Sequence, residues 1–192
     1  DDGKEVAKVA EDRLEQPGPT KERLAAIQSV SQPGSAEAAS SQPAYWESPE
    51  QFVDALLPHA REAADKLGVS PKVLVAQSAL ETGWGKHVPH DGSGRASNNF
   101  FGIKADRSWD GERQVHGTLE FESGSLVRRQ AAFREYDSMA GSFNDFARFI
   151  QENPRYGQAL EARNDPEQFA RELQRAGYAT DPKYADKLIS IM

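Results

Sequence analysis

The chain has 192 residues, of which 38% are hydrophobic, with a formal net charge of −7 and no cysteine. Absence of cysteine excludes disulfide staples and thiolate metal sites. The acidic balance, without any Lys/Arg cluster, argues against nucleic acid as a partner, and no apolar run is long enough to span a bilayer.

The length suits one domain with attachments. The chain starts at Asp1 without an initiator Met and stops in the apolar run Leu188–Met192, so it reads as a fragment of a longer polypeptide; no signal peptide is visible. None of the 17 aromatic residues precedes Tyr45, and the first 43 residues carry 5 basic and 8 acidic side chains. A stretch so poor in apolar surface cannot offset the entropy of ordering its backbone, so residues 1–43 are expected to be a flexible linker or tail. Val6–Leu14 and Lys21–Val30 read as transient helices within it. Residues 44–192 then form the folded domain.

Ser48-Pro49 predicts a capped helix to Leu67, with Phe52, Ala55, Leu56, Ala60, Ala63, Ala64 and Leu67 at helical spacing and Gly68 as its left-handed stop. Ser70-Pro71 opens a second helix that is apolar nearly all round through Glu81, and therefore central; Gly83 and Gly85 end it. Residues 86–112 are irregular. Val115 to Glu122 alternates and Ser125 to Tyr136 returns, which predicts a hairpin turning at Ser123-Gly124. The alternation sends Thr118, Glu120 and Glu122 to one face and Leu119 and Phe121 to the other. Phe143, Phe146 and Ile150 mark a helix ending before Pro154, Asp165-Pro166 opens another that stops at Gly177, and Asp181-Pro182 opens the last. The fold class is mainly α (α+β), with one small β-hairpin lobe.

Glu81 is the residue of chemical interest. It falls in the last turn of a buried helix, where backbone carbonyls disfavour a negative charge, and Leu80 and Trp84 lie close enough to desolvate it. Both effects raise a carboxyl pKa, as a general acid working near neutral pH requires. A frayed surface Glu beyond a helix end is the competing reading.

The surrounding string Ala76-Gln77-Ser78-Ala79-Leu80-Glu81-Thr82-Gly83-Trp84-Gly85 resembles the A-Q-x-A-x-E-[ST]-x-x-G signature of the lysozyme superfamily, in which such a Glu protonates the glycosidic oxygen. Asn98-Asn99-Phe100-Phe101-Gly102-Ile103-Lys104 is similar to the N-x-F-G-[IV]-K string of glycoside hydrolase family 73. Ala176-Gly177-Tyr178-Ala179-Thr180-Asp181-Pro182-Lys183-Tyr184-Ala185 resembles that family's closing G-Y-A-T-D-P-x-Y-A. Three motifs in the family's order cover about 150 residues. Within the family, the folded part resembles the C-terminal hydrolase domains of flagellar rod-assembly proteins of Gram-negative bacteria. The resemblance implies a lysozyme-like helical domain, peptidoglycan glycan strands as substrate, a periplasmic setting and no cofactor. It also implies flagellar rod proteins as partners through a region absent here, residues 1–43 being the end of the intervening linker.

Glycosidic cleavage usually takes a second carboxylate, about 5 Å away as a nucleophile or roughly 6.5–9.5 Å away as a base for water. The hairpin offers Glu120 and Glu122, although a two-acid hairpin end is also a common solvated edge. Thr118–Gly124 resembles the family's T-x-E-Y-x-N-G-like segment, which favours Glu120 as partner, with Glu122 second and kept among the substrate-binding candidates. Nucleophilic, water-base and substrate-assisted routes all stay open. Tyr178 follows a helix-stop glycine, so its hydroxyl either orients the N-acetyl group or stabilises charge near the sugar ring, or the ring is a half-buried core Tyr. The family resemblance favours the catalytic role. Substrate-binding candidates are Trp84, Asn98, Asn99, Glu122, Thr180 and Tyr184. Asn98 and Asn99 serve equally well to hold a left-handed turn, and Tyr184 reads first as core. Trp109 is a further stacking candidate. Phe100, Phe101, Phe143, Phe146 and Phe149 read as core. His87, His90 and Asp91 superficially suggest a metal site, but a Gly/Pro-rich loop gives no common face for the two rings, and no metal is expected. The reaction implied is endo-β-N-acetylglucosaminidase cleavage; a muramidase, a lytic transglycosylase and an inactive wall-binding scaffold module are the alternatives.

Overall fold

The computed structural model describes residues 46–192; the expected tail, with its two helical stretches, lies outside them. Helix α1 (Pro49–Leu67) starts where the Ser48 hydroxyl accepts the Gln51 N–H and ends at Gly68, φ 76°. Its buried stripe packs on α2 (Pro71–Thr82) and on α3 (Met139–Glu152). Every residue of α2 from Val73 to Thr82 is buried, as its all-round apolar sequence predicts. After α3 come a short 3-10 turn, Pro154–Tyr156, and α4 (Gly157–Glu161), then α5 (Pro166–Arg175) and α6 (Tyr184–Ile191). Helix α6 packs on both α5 and α2. An aromatic cluster joins these helices, with Phe101 and Phe146 stacked at 4.0 Å and Tyr178 edge-on to Phe146 at 6.1 Å. No helix among the described residues is long and apolar enough to cross a membrane.

Strands β1 (Arg113–Glu122) and β2 (Ser125–Arg134) form the hairpin. Ser123 and Gly124, at φ 51° and 81°, make a two-residue turn whose handedness matches the strand twist. Pairing of Glu120 with Val127 and of Thr118 with Arg129 confirms the expected alternation. The face carrying Gln114, Thr118 and Glu120 is the buried one, whereas Val115 on the other face is 66% exposed.

Three expectations shift. The hairpin begins two residues earlier and ends two residues sooner than alternation suggests, because Arg134 and Glu135 turn their N–H groups to Ile103 and Glu112. The last helix starts at Tyr184 rather than directly after Asp181: the Asp181 carboxylate accepts the Lys183 N–H and closes a local turn first. Helix α4 was not foreseen, since only Ala159 of its five residues is buried and so short a segment shows no periodicity.

Helix α2 leaves through three consecutive left-handed residues, Gly83, Trp84 and Gly85, at φ 56°, 58° and 84°. A Cβ on Gly85 would sit 2.7 Å from the Trp46 ring and closer still to Phe52. The last glycine of the α2 signature is thus demanded both by backbone and by packing. Gly85→Ala should destabilise the domain by about 2 kcal/mol or more, as overpacking adds to the left-handed strain. Urea unfolding of the purified variant measures this, and an unchanged midpoint would refute it.

Candidate active site

Glu81 stands in the last turn of α2 with 5% of its surface exposed. One turn earlier, Gln77 donates to the Tyr184 hydroxyl at 3.2 Å. Burial lifts the Tyr184 and Tyr178 phenols well above their ordinary range, and the charge of Glu81 adds to both. Glu81 therefore has two neutral, buried tyrosines around it.

The Tyr178 side chain has no exposed surface, and its hydroxyl donates to the Phe101 carbonyl at 2.8 Å. Tyr184 is equally buried. Both rings belong to the wall behind Glu81, and neither presents a face to solvent. Trp84, one residue past the helix cap, is also buried.

Two residues beyond Tyr178, the Thr180 hydroxyl accepts the Phe121 N–H at 3.1 Å and donates to Glu120 Oε2 at 3.1 Å. Glu120 is 4% exposed, and its Oε1 lies 2.7 Å from the Lys104 ammonium. One short segment thus carries both a tyrosine that feels the charge of Glu81 and a threonine that holds Glu120. Glu122 is placed differently. It lies at the exposed end of the strand in a two-point pair with Arg129.

The Asn98–Lys104 loop is built by its asparagines. Asn98 takes a left-handed φ of 54° and donates to the Tyr136 carbonyl. Asn99 is buried; its amide nitrogen serves the carbonyls of Ile103 and Arg134, both at 2.9 Å, and its oxygen accepts the Ile103 N–H at 3.1 Å. Of the two roles weighed for these residues, loop support is the one their bonds describe. Trp109 donates its ring N–H to the Glu112 carbonyl and carries the Arg134 guanidinium 4.7 Å over one face. With Lys104, Arg148 and Phe149 it lines a cavity of about 1320 Å3 whose lining does not include Glu81.

Two features escaped the sequence reading. Lys104 was visible as the end of a motif, but nothing in spacing couples it to Glu120. The base of the hairpin is fixed by a buried pair, Arg134 Nη1 to Asp145 Oδ2 at 2.9 Å, which Tyr136 joins by donating to the same oxygen. A polar residue at the helical spacing of α3's apolar stripe was the available signal for Asp145. In the 87–91 loop, Asp91 accepts from Ser93 and Arg95, and these bonds lower its pKa. Among the described residues no group of three or more His, Cys, Asp or Glu is arranged to hold a metal ion.

A central helix ending in a buried acid, together with a hairpin carrying a second buried carboxylate, fits a glycoside hydrolase of lysozyme-like architecture. The chain belongs to the glucosaminidase family, described as mannosyl-glycoprotein endo-beta-N-acetylglucosaminidase, which matches residues 57–192. It is similar to the peptidoglycan hydrolase FlgJ of Vibrio parahaemolyticus, 52% identical over 149 residues that make up 78% of this chain and 48% of that one. Among solved structures, a peptidoglycan hydrolase mutant from Sphingomonas sp. A1 is 46% identical with a TM-score of 0.70, covering 73% of this chain and 90% of that one. A C-terminally truncated glycoside hydrolase domain of Salmonella typhimurium FlgJ is 40% identical with a TM-score of 0.61, covering 74% and 94%. The chain spans less than half the length of the curated relatives it matches.

The Asn99 bonds can be tested by stability. Asn99→Asp keeps an acceptor for Ile103 but cannot donate to either carbonyl, so it should destabilise about as much as Asn99→Ala, by about 2–3 kcal/mol for stranded buried carbonyls. Thermal unfolding of both variants checks this; a parent-like Asn99→Asp would show that the loop is held elsewhere.

Proposed function

We propose that this chain is a peptidoglycan hydrolase that cleaves the β-1,4 glycan strand on the glucosaminyl side, as an endo-β-N-acetylglucosaminidase. Glu81 is the general acid. Its proton passes to the glycosidic oxygen as the C1–O bond breaks, and the Glu120 carboxylate answers the positive charge that develops on the sugar ring. The observation that carries this reading is the placement of Glu81, buried at the end of a wholly buried helix, in a domain of the glucosaminidase family. Tyr178 and Tyr184 serve the acid from behind, as uncharged walls that keep water from it. Thr180 serves Glu120, and Asn98, Asn99 and Trp84 shape the ground on which the strand lies. The resemblance to flagellar rod-assembly proteins supports a periplasmic role in opening the wall locally for the rod, with rod proteins engaged by a region outside this chain.

Glu81→Gln keeps the side-chain shape but has no proton to give, so release of reducing ends from purified peptidoglycan should fall by about 10²–10⁴-fold with the circular dichroism unchanged. Mass spectrometry of the parent digest should show N-acetylglucosamine at the reducing end. N-acetylmuramic acid there would make the chain a muramidase, an anhydro sugar a transglycosylase, and no product a binding module.

Glu120 and Glu122 separate by their surroundings. Glu120→Gln should lose on the order of 10²-fold in rate, whereas Glu122→Gln, exposed and tied to Arg129, should stay within a few fold. The rates of both at saturating substrate decide it; a dead Glu122→Gln beside an active Glu120→Gln reverses the assignment.

A further inference from the structure

We infer that Lys104 is a positioning residue for the cleavage, its ammonium and the Thr180 hydroxyl together fixing the place of the Glu120 carboxylate. The inference rests on the reading of Glu120 as the second carboxylate.

The geometry on each side is specific. The Lys104 backbone is pinned against β2: it forms an antiparallel bridge to Phe133, its flanking residues exchange hydrogen bonds with Ala132 and Arg134, and its own carbonyl accepts from Arg134 Nε. Only the side chain is left to swing, and it is largely covered, with 21% of its surface exposed against 5% for Glu120. A charge pair so far out of water is held by close attraction, and removing one partner leaves the other desolvated. The other carboxylate oxygen receives the Thr180 hydroxyl, which simultaneously accepts the backbone N–H of Phe121. One hydroxyl thus sets both the height of the strand and the rotation of the acid.

The remaining charged groups nearby are otherwise engaged. Arg129, on the same hairpin face, is paired with Glu122 at the exposed tip. Asp181, next to Thr180, is turned to Lys187. Lys104 is the cation in contact with the acid, and it reaches that position from a loop anchored by buried Asn99 rather than from the hairpin itself. A cation supplied by a different element ties the acid to the loop as well as to the hairpin, so the place of the carboxylate does not depend on the hairpin alone.

The test uses the whole chain and soluble peptidoglycan fragments, with kcat, KM and the melting temperature measured for each variant. Lys104→Met should lower kcat on the order of 10-fold to 10²-fold with KM little changed, since misplacing a reacting group weakens the chemical step more than binding. Lys104→Arg should regain most of that rate, and Thr180→Ser, but not Thr180→Val, should behave as the parent. A pair that serves only stability would instead shift the melting temperature, leave kcat alone and show no preference for Arg. Should Lys104→Met fail to fold, Lys104→Ala carries the measurement, because it removes the partner of Glu120 without adding an apolar chain beside it: a folded Lys104→Ala at parent kcat overturns the inference. Parent kcat in Lys104→Met with Glu120→Gln dead also overturns it. An active Glu120→Gln is a different failure, that of the Glu120 reading itself.

Discussion

Helix α2 has no face to water along its last ten residues, and most of the site follows from that. A helix buried on every side must satisfy its final carbonyls inside the protein. Here the Ala79 carbonyl takes the N–H groups of Gly83 and Trp84, the Thr82 carbonyl takes that of His87, and the hydroxyls of Ser78 and Thr82 turn back to carbonyls one turn earlier. The chain can leave only through a tight left-handed turn, which explains two glycines and a Trp at positive φ. Glu81, one residue before the helix ends, is carried into the same dry region. Its environment is therefore a by-product of how a central helix has to stop.

The hairpin inverts the usual arrangement of a half-buried sheet. Gln114, Thr118 and Glu120 face the protein together with Phe133, while Val115 and Leu126 face outward. Such a lobe draws little from hydrophobic burial and must be held by paired polar groups instead. Gln114 donates to Glu135, Arg134 meets Asp145, and Glu120 meets Lys104 and Thr180. Attachment by directional bonds fixes side-chain angles more closely than apolar contact would.

Much of this was legible beforehand. Ser48, Ser70 and Asp165 announced their helices because a cap is a local event, decided within four residues. The all-round apolar run before Glu81 marked a central, buried helix, though a frayed surface Glu at its end stayed open, and strand alternation put Glu120 and Glu122 on one face. Alternation could not say which face is covered, because that depends on Thr180, sixty positions away. Nor could it distinguish Glu120, engaged by a loop lysine, from Glu122, engaged by its own hairpin. Tyr178 shows the same limit: its place after a helix-stop glycine was plain, while the commitment of its hydroxyl to Phe101 is a fact of the assembled fold. The start of α6 was missed because Asp181 forms a side-chain turn that competes with capping.

The contacts that complete the site span long stretches of chain. Gln77 to Tyr184 closes 107 positions, Phe101 to Tyr178 closes 77, and Glu120 to Thr180 closes 60. All three converge on one short segment, residues 178–184, near the end of the domain. During synthesis the acid, its walls and the hairpin emerge well before the piece that joins them. Loops of that size are entropically slow to close, so helices form early and the junction forms late. A nascent chain can thus carry both Glu81 and Glu120 and still lack the segment to which the surroundings of each are tied. The site is completed in one step, with the last corner of the fold.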